Sequence, residues 1–461
     1  MELEKLILGI DIGTSSVKIS MLDIHTLKSV FAKSFPTKAN ITPSHQKGDE
    51  QDVIKIFRTL QKCLKTAGNL MKKVKAIGVC GQMHGIVFWN KQFIQQFWDN
   101  GFEFEDQEFV SNLYTWQDKR TDLTFLDKLP KPNSHLKTYS GYGCITALWL
   151  KENQPDILNK YQYCGTIQDL TVSLLCNQQK PIMSTHNAAS WGYFDLINCS
   201  WNVNILRKIN FPLDLLPSVV QPGSNFGTLY DTIYDLPKGT VIGVALGDLQ
   251  CSVIATLTAK TDAIINISTS AQMAFVATNM KQQHDGVEYF PYFENDYLAV
   301  AASLNGGNVL NVFVKSVLNW VSVLGLNITE DELWNRLYNL PPENHLIPLI
   351  VNPLMYGERH NPKTYGSIIN VTNDNFTLTE LFSGFSKGLV NNLINMMPRE
   401  LLLSSGIQRI IGSGTVITKN QIIREEIENS FKLPLHISNP EESAIGAALT
   451  MLKNNPSLFN S

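Results

Sequence analysis

Ile7-Leu-Gly-Ile-Asp-Ile-Gly-Thr-Ser-Ser-Val-Lys-Ile-Ser20 sets two short apolar runs on either side of a small polar turn. About 255 residues later, Ala263-Ile-Ile-Asn-Ile-Ser-Thr-Ser-Ala-Gln-Met-Ala-Phe-Val276 repeats the arrangement. Isoleucine and valine clustered around Gly, Ser and Thr read as two strands joined by a turn. Two copies predict two related domains, each opening with a hairpin that carries hydroxyl side chains. An ordinary hairpin with a polar turn would look the same as either copy alone. The recurrence favours a shared purpose.

Working outward, Asp52 to Ala67 changes period. Val53, Ile56, Leu60, Cys63 and Leu64 fall on one face at helical spacing, with basic residues opposite. Lys75–Cys80 then returns to strand character. This mixture predicts an α/β layer fold. A chain of 461 residues is also too long for a single core. The turn-rich stretches Leu236-Pro-Lys-Gly-Thr240 and Leu257-Thr-Ala-Lys-Thr261 place the boundary near Ala259, giving domains 1–258 and 259–461.

Composition narrows the functions available. With 38 basic against 41 acidic residues the net charge is −3, and no basic stripe appears. Nucleic acid and anionic membranes are therefore not expected partners. No apolar run reaches the roughly 18–20 residues that would span a bilayer. The amino terminus, Met-Glu-Leu-Glu-Lys5, lacks the basic and long apolar regions of a signal peptide. Seven scattered cysteines without a Cys-x-x-Cys pair predict reduced thiols and a cytoplasmic protein, with no structural zinc.

Several segments bear chemistry. In the first hairpin Gly13 lets backbone amides approach anionic oxygens, Thr14 and Ser15 add hydroxyls, and Lys18 adds positive charge. Asp11, at the strand end, is a carboxylate of the kind that holds hydrated Mg²⁺. No Gly-x(4)-Gly-Lys-Ser/Thr is present, so a P-loop is excluded as the ATP cradle. Gly81-Gln-Met-His-Gly85 places Gln82 and His84 at a strand end with Met83, Phe88 and Trp89 as apolar walls. Such a mixture suits sugar hydroxyls, although one histidine at a turn can equally be structural. Val244-Ala-Leu-Gly-Asp-Leu-Gln250 offers Asp248, either as a base for a hydroxyl proton or as a plain helix cap. Ile411-Gly-Ser-Gly-Thr415 could bring a nucleotide against backbone, while Glu442-Ser-Ala-Ile-Gly-Ala-Ala-Leu449 reads as a closely packed helix.

Taken in order, these segments resemble the FGGY carbohydrate kinases over essentially the whole chain. Leu113-Tyr-Thr-Trp-Gln-Asp-Lys-Arg120 looks like that family's Trp-x-Asp-x-Arg segment, and Pro353-Leu-Met-Tyr-Gly-Glu-Arg359 like its Gly-Glu-Arg loop. The resemblance implies two ribonuclease-H-like domains of the actin/hexokinase type flanking a central cleft. It also implies transfer of a phosphoryl group from ATP, with Mg²⁺, to a small sugar, by a monomer or homodimer.

From the family's motifs, Asp248 is the expected base and Asp11 the expected Mg²⁺ partner. Gln82, Met83, His84 and Asn187 would line the sugar site. Gly13, Thr14, Ser15 and Lys18 would meet phosphate from one domain, and Thr269 and Gly307 from the other. Gly412, Gly414, Thr415 and a nearby Asn420 would lie by the nucleotide, with Trp116, Asp118 and Arg120 as buttress. Asn187-Ala-Ala-Ser-Trp-Gly-Tyr-Phe194 and Ala301-Ala-Ser-Leu-Asn-Gly-Gly-Asn308 look like the branch whose acceptor is sedoheptulose, feeding the pentose phosphate pathway. Xylulokinases tend to carry Asp in place of Asn187 and Asn in place of Leu249. Xylulose phosphorylation is the alternative within the class. An actin- or heat-shock-type ATPase switch is the alternative outside it, and would need no sugar pocket.

Overall fold

A computed structural model describes residues 5–458 except 102, 105–107, 281–283, 342, 344, 359–360, 362 and 439–442. Arg359 and Glu442 thus lie outside the described residues, as does the acidic start of the chain. The chain forms two compact units. The first runs through Ala255 and also takes in Phe290–Asn295 and the C-terminal helix Ser443–Asn454. The second holds Thr256–Tyr289 and the segment that begins at Asp296. Two unbroken domains meeting at residues 258 and 259 therefore do not describe the chain, because its last helix belongs to the first unit.

In the first unit, Leu6–Ile12, Ser16–Asp23 and Ser29–Pro36 form an antiparallel meander. Val74–Gly81 then pairs parallel to Leu6–Ile12, and Val241–Gly243 parallel to Val74–Gly81. The second unit repeats this order. Asp262–Ile267, Ala271–Ala277 and Tyr297–Ser303 are antiparallel neighbours. Arg409–Ser413 pairs parallel to Asp262–Ile267, and Leu435–Ile437 parallel to Arg409–Ser413. The recurrent hairpin thus heads the same sheet topology twice.

All seven residues of Leu6–Ile12 are buried, because both faces of the sheet are covered. Leu6, Leu8, Ile10 and Ile12 join the core that includes Val53, Ile56, Leu60, Cys63 and Leu64, the apolar stripe of the helix Val53–Thr66. Asp52 caps that helix by accepting from the Lys55 amide at 3.0 Å. On the other face Ile7 and Ala76 pack against Ala448 and Met451 of the C-terminal helix. Glycine makes this second contact close. A methyl group on Gly9 would stand 1.7 Å from the Ala444 carbonyl oxygen, and one on Gly78 2.2 Å from that of Ala447. In turn a methyl on Gly446 would stand 1.8 Å from the Cys251 carbonyl oxygen. Close packing is thus the role of this small-residue helix. Among the described residues no helix is long and apolar enough to cross a membrane.

Gly9→Ala is expected to destabilise the protein by about 3 kcal/mol, the upper range for overpacking, because a main-chain atom rather than a movable side chain blocks the added methyl. A urea midpoint within experimental error of the wild type would refute this account of the helix seat.

Candidate active site

Parallel pairing brings three chemistry-bearing strand ends together in the first unit. Asp11 lies level with Cys80. Leu246 and Gly247, in a short strand, lie level with Cys80 and Gly81. Gln82 and Asp248 therefore emerge side by side just beyond the sheet edge, next to Asp11. Lys18 sits opposite Asp11 across the hairpin. Gly247 admits no side chain, since a methyl there would meet Gln250 Oε1 at 2.3 Å and Met83 Sδ at 2.8 Å. This close approach presses the methionine wall against the root of Asp248.

Asp248 is the first residue of the helix Asp248–Thr256 and is partly exposed. Its Oδ1 accepts from the Leu249 amide at 2.8 Å. Desolvation pushes its carboxyl up to about 6, against the opposing pull of the Leu249 amide, its own amide and the Lys18 charge. A carboxylate poised there is ionised at neutral pH, yet more basic than an ordinary aspartate.

The hairpin turn is held from inside. Thr14 Oγ1 accepts from the Trp116 indole at 3.0 Å and donates to Gln82 Oε1 at 3.4 Å. Gln82 Nε2 donates to Gln51 Oε1 at 3.1 Å, and Gln51 Nε2 donates to the Thr14 carbonyl at 2.8 Å. Gln82 is therefore a strut under the turn, only 2% exposed, rather than a side chain offered outward. Ser15 is the exposed hydroxyl of the turn, and Gly13 and Lys18 are half-buried.

His84 adopts φ 74°, left-handed backbone that is strained for a residue with a Cβ. Its ring stacks on Tyr142, with centroids 4.6 Å apart and planes 5° from parallel. Nδ1 lies 3.0 Å from the Ser190 carbonyl oxygen. A carbonyl only accepts, so Nδ1 carries a proton and donates to it. Tyr142 escaped the sequence reading. Its neighbour Gly143 is the available signal, since a methyl there would strike the Trp191 indole at 2.5 Å.

Asn187 is fully buried. Its Nδ2 donates to Asp169 Oδ1 at 3.4 Å and to the Ala245 carbonyl at 3.3 Å, and its Oδ1 accepts from Gln168 Nε2 at 3.3 Å. The structure thus sets Asn187 behind the site wall, where its amide serves other side chains and the Ala245 carbonyl. Asp169 was missed as well. It closes a capping box with Thr166, and desolvation pushes its carboxyl up to about 7 against those hydrogen bonds. The pattern Thr166-Ile-Gln-Asp169 signals a helix start, but not an acid at the back of a pocket.

The Trp116-x-Asp118-x-Arg120 segment acts as a buttress. Arg120 is buried and pairs with Asp118 at 2.8 Å and Glu50 at 2.6 Å, under the rings of Tyr114 and Trp149. Asp118 also accepts from the Asp49 amide at 2.9 Å.

In the second unit, Thr269 and Thr415 are exposed hydroxyls. Gly307 instead packs beneath the hairpin turn, where its amide donates to the Ser268 carbonyl at 2.7 Å. Gly412 faces Leu435 and Ile437, so its lack of a side chain serves the core. Gly414, at φ 100°, lets the chain turn against Ile267, where a methyl would sit 2.4 Å from a carbonyl oxygen. Asn420 is a buried helix cap bonded to Ser386 Oγ at 2.9 Å. Glu358 is buried among Ser303, Asn305 and Asn392 and anchors its loop.

Residues 6–255 match the FGGY family of carbohydrate kinases, N-terminal domain. The chain is 39% identical to a sedoheptulokinase of Mus musculus and 39% identical to one of Homo sapiens, over 97% of each chain in both comparisons. Its fold is that of a gluconate kinase from Lactobacillus acidophilus, with a TM-score of 0.78 and 19% identity over 99% of this chain and 90% of that one. A Plasmodium falciparum glycerol kinase solved with ADP gives 0.77 and 18% over 99% and 91%.

Arg120→Met is expected to cost about 3–5 kcal/mol, since it strands the buried carboxylates of Asp118 and Glu50 without their cation. Denaturant titration checks this, and a loss below about 1 kcal/mol would show the pair to be dispensable.

Proposed function

This chain belongs to the FGGY family of carbohydrate kinases, and from that premise we propose that it phosphorylates sedoheptulose with ATP to give sedoheptulose 7-phosphate. The observation that carries the choice of sugar is 39% identity to two sedoheptulokinases along 97% of both chains. Asn187 and Leu249, which depart from the xylulokinase pattern, support it.

In this reading Asp248 accepts the proton of the attacking sugar hydroxyl. The sugar oxygen bonds to the γ-phosphorus as the bond from that phosphorus to the bridging oxygen breaks. The electron pair leaves with ADP. His84, its ring fixed by Ser190 and Tyr142, orients a sugar hydroxyl. Met83 supplies apolar wall. Gly13, Ser15 and Lys18 serve phosphate in the first unit, and Thr269, Gly414 and Thr415 serve the nucleotide in the second.

The donor set fits Mg²⁺: Asp11 is a hard carboxylate at a strand end beside a glycine turn, and this ion takes one or two carboxylates and keeps water. Asp11 would hold it, and when bound it neutralises phosphate charge. All seven cysteines are free thiols, six of them buried, which supports a reducing cytoplasmic setting.

Two measurements test the proposal. Across sedoheptulose, xylulose, ribulose, glycerol and erythrulose, ADP release should give sedoheptulose the highest kcat/KM. A tenfold preference for xylulose would move the protein to the neighbouring branch. In addition, kcat/KM should rise with pH through a limb near 6, because Asp248 works only when ionised and its folded carboxyl titrates there. Asp248→Asn should lose that limb and about 10²–10⁴ of the rate. Near-wild-type turnover in that variant would remove Asp248 from the mechanism.

A further inference from the structure

The amides of Gln168 and Asn187 join two neighbouring strand ends from behind. Gln168 Nε2 donates to the Gly81 carbonyl at 3.2 Å and to Asn187 Oδ1 at 3.3 Å. Asn187 Nδ2 passes the link to the Ala245 carbonyl at 3.3 Å. Gly81 precedes Gln82, Met83 and His84, and Ala245 stands three residues before Asp248. The clamp therefore bridges the segment that reads the sugar and the segment that carries the base. It also spans the place where ladder pairing between those strands shrinks to the short run Leu246–Gly247.

Space around the clamp is tight. A methyl on Gly81 would lie 3.0 Å from Gln168 Oε1 and 2.8 Å from the Ile12 carbonyl oxygen. Asn187 could rotate its amide and drop the Ala245 carbonyl, were it not for Asp169. That carboxylate takes the Thr166 amide and hydroxyl on Oδ2 and faces Asn187 Nδ2 with Oδ1. Because the Ala245 carbonyl can only accept and Gln168 Nε2 donates to Oδ1, Nδ2 and not Oδ1 points toward Asp169 and Ala245.

We propose that Asn187 is a positioning residue for phosphoryl transfer, oriented by Asp169 and coupled through Gln168, so that it fixes Asp248 relative to His84 without touching the sugar. The inference rests on Asp248 being the base. A sub-ångström displacement of a base from its hydroxyl costs rate far more than it costs binding.

Asn187→Asp keeps the acceptor for Gln168 but removes the donor to Ala245 and sets two carboxyls face to face. The expected result, on full-length protein with kcat normalised to sites that bind a non-hydrolysable ATP analogue, is at least a tenfold fall in kcat. The sugar KM should change less than threefold. The swap Asp169→Asn with Asn187→Asp restores a donor–acceptor pair between the two positions while leaving Ala245 without a donor. It should regain thermal stability, yet stay at least tenfold down in normalised kcat. Recovery of kcat in the swap, or wild-type kcat in Asn187→Asp, would overturn the proposal.

If Asn187→Asp yields no folded protein, Gln168→Leu cuts the same clamp at Gly81 and should show the same fall, and unchanged kcat there would be equally fatal. Amide exchange over residues 245–251 should quicken in each of these variants, and unaltered exchange would also overturn it. That readout needs no sugar. A wild type that prefers another acceptor would thus refute the substrate reading and leave the clamp standing or falling by itself.

Discussion

Ala444 and Ala447 lie so near the sheet that only glycine fits beneath them, at Gly9 and Gly78. The ends of two strands and the helix that Asp248 starts depend on that seat. Side chains alternate along a strand, so Asp11 shares the face of Ile7 and Gly9 and Cys80 shares that of Ala76 and Gly78. The helix that covers the apolar end of this face stops where Asp11 begins. The Cys80 thiol donates to the carbonyl of Ser443, the helix's first residue, at 3.4 Å. A bulkier strand would lift the helix and with it Cys251, whose carbonyl meets Gly446. Cys251 lies in the helix that Asp248 starts.

Burial at helix starts explains why two acids behave differently from surface aspartates. Asp248 and Asp169 are both pushed up, to about 6 and about 7, and desolvation is the main cause for each. Their surroundings then separate their roles. Asp248 is partly exposed and bonds the Leu249 amide with only one of its oxygens. Asp169 is sealed among Thr166 and Asn187 and has no access to a ligand. Perturbation of a carboxyl therefore marks buried struts as readily as bases, and only exposure together with free hydrogen-bonding capacity tells them apart.

Much of the fold was legible because it is local. The repeated hairpin, the Val53–Thr66 stripe and the small-residue C-terminal helix each follow from short-range period or composition. What the sequence concealed depends on contacts between distant residues. Nothing near Arg120 announces that Glu50 completes its ion pair, and nothing near Gln82 announces that Gln51 and Thr14 will occupy its amide. Asn187, Gly307 and Gly412 stand in recognisable motifs, yet the motif says only that the residue type matters. The packing shows that two glycines serve close approach and that the asparagine serves other side chains. The return of residues 443–454 to the first unit was hidden for the same reason, since no boundary signal reveals which core a terminal helix will join.

The polar residues around the first hairpin also tie this sheet edge together. Thr14, Gln82, Gln51 and Trp116 bond to one another, and Arg120, Asp118 and Glu50 form a second set next to them through the strand pairing of Glu50–Gln51 with Leu113–Tyr114, with Arg120 Nη1 left unpartnered. Buried polar groups of this kind are costly when half satisfied and specifying when complete. Among the described residues, the Ser15 hydroxyl and the second oxygen of Asp248 stand outside both sets. A site whose scaffold consumes its own hydrogen bonds presents a small, fixed set of open ones to a substrate. For sugars that differ only by the placement of a hydroxyl, a mismatch with any such open group leaves it unpaired, which is how a polar site discriminates.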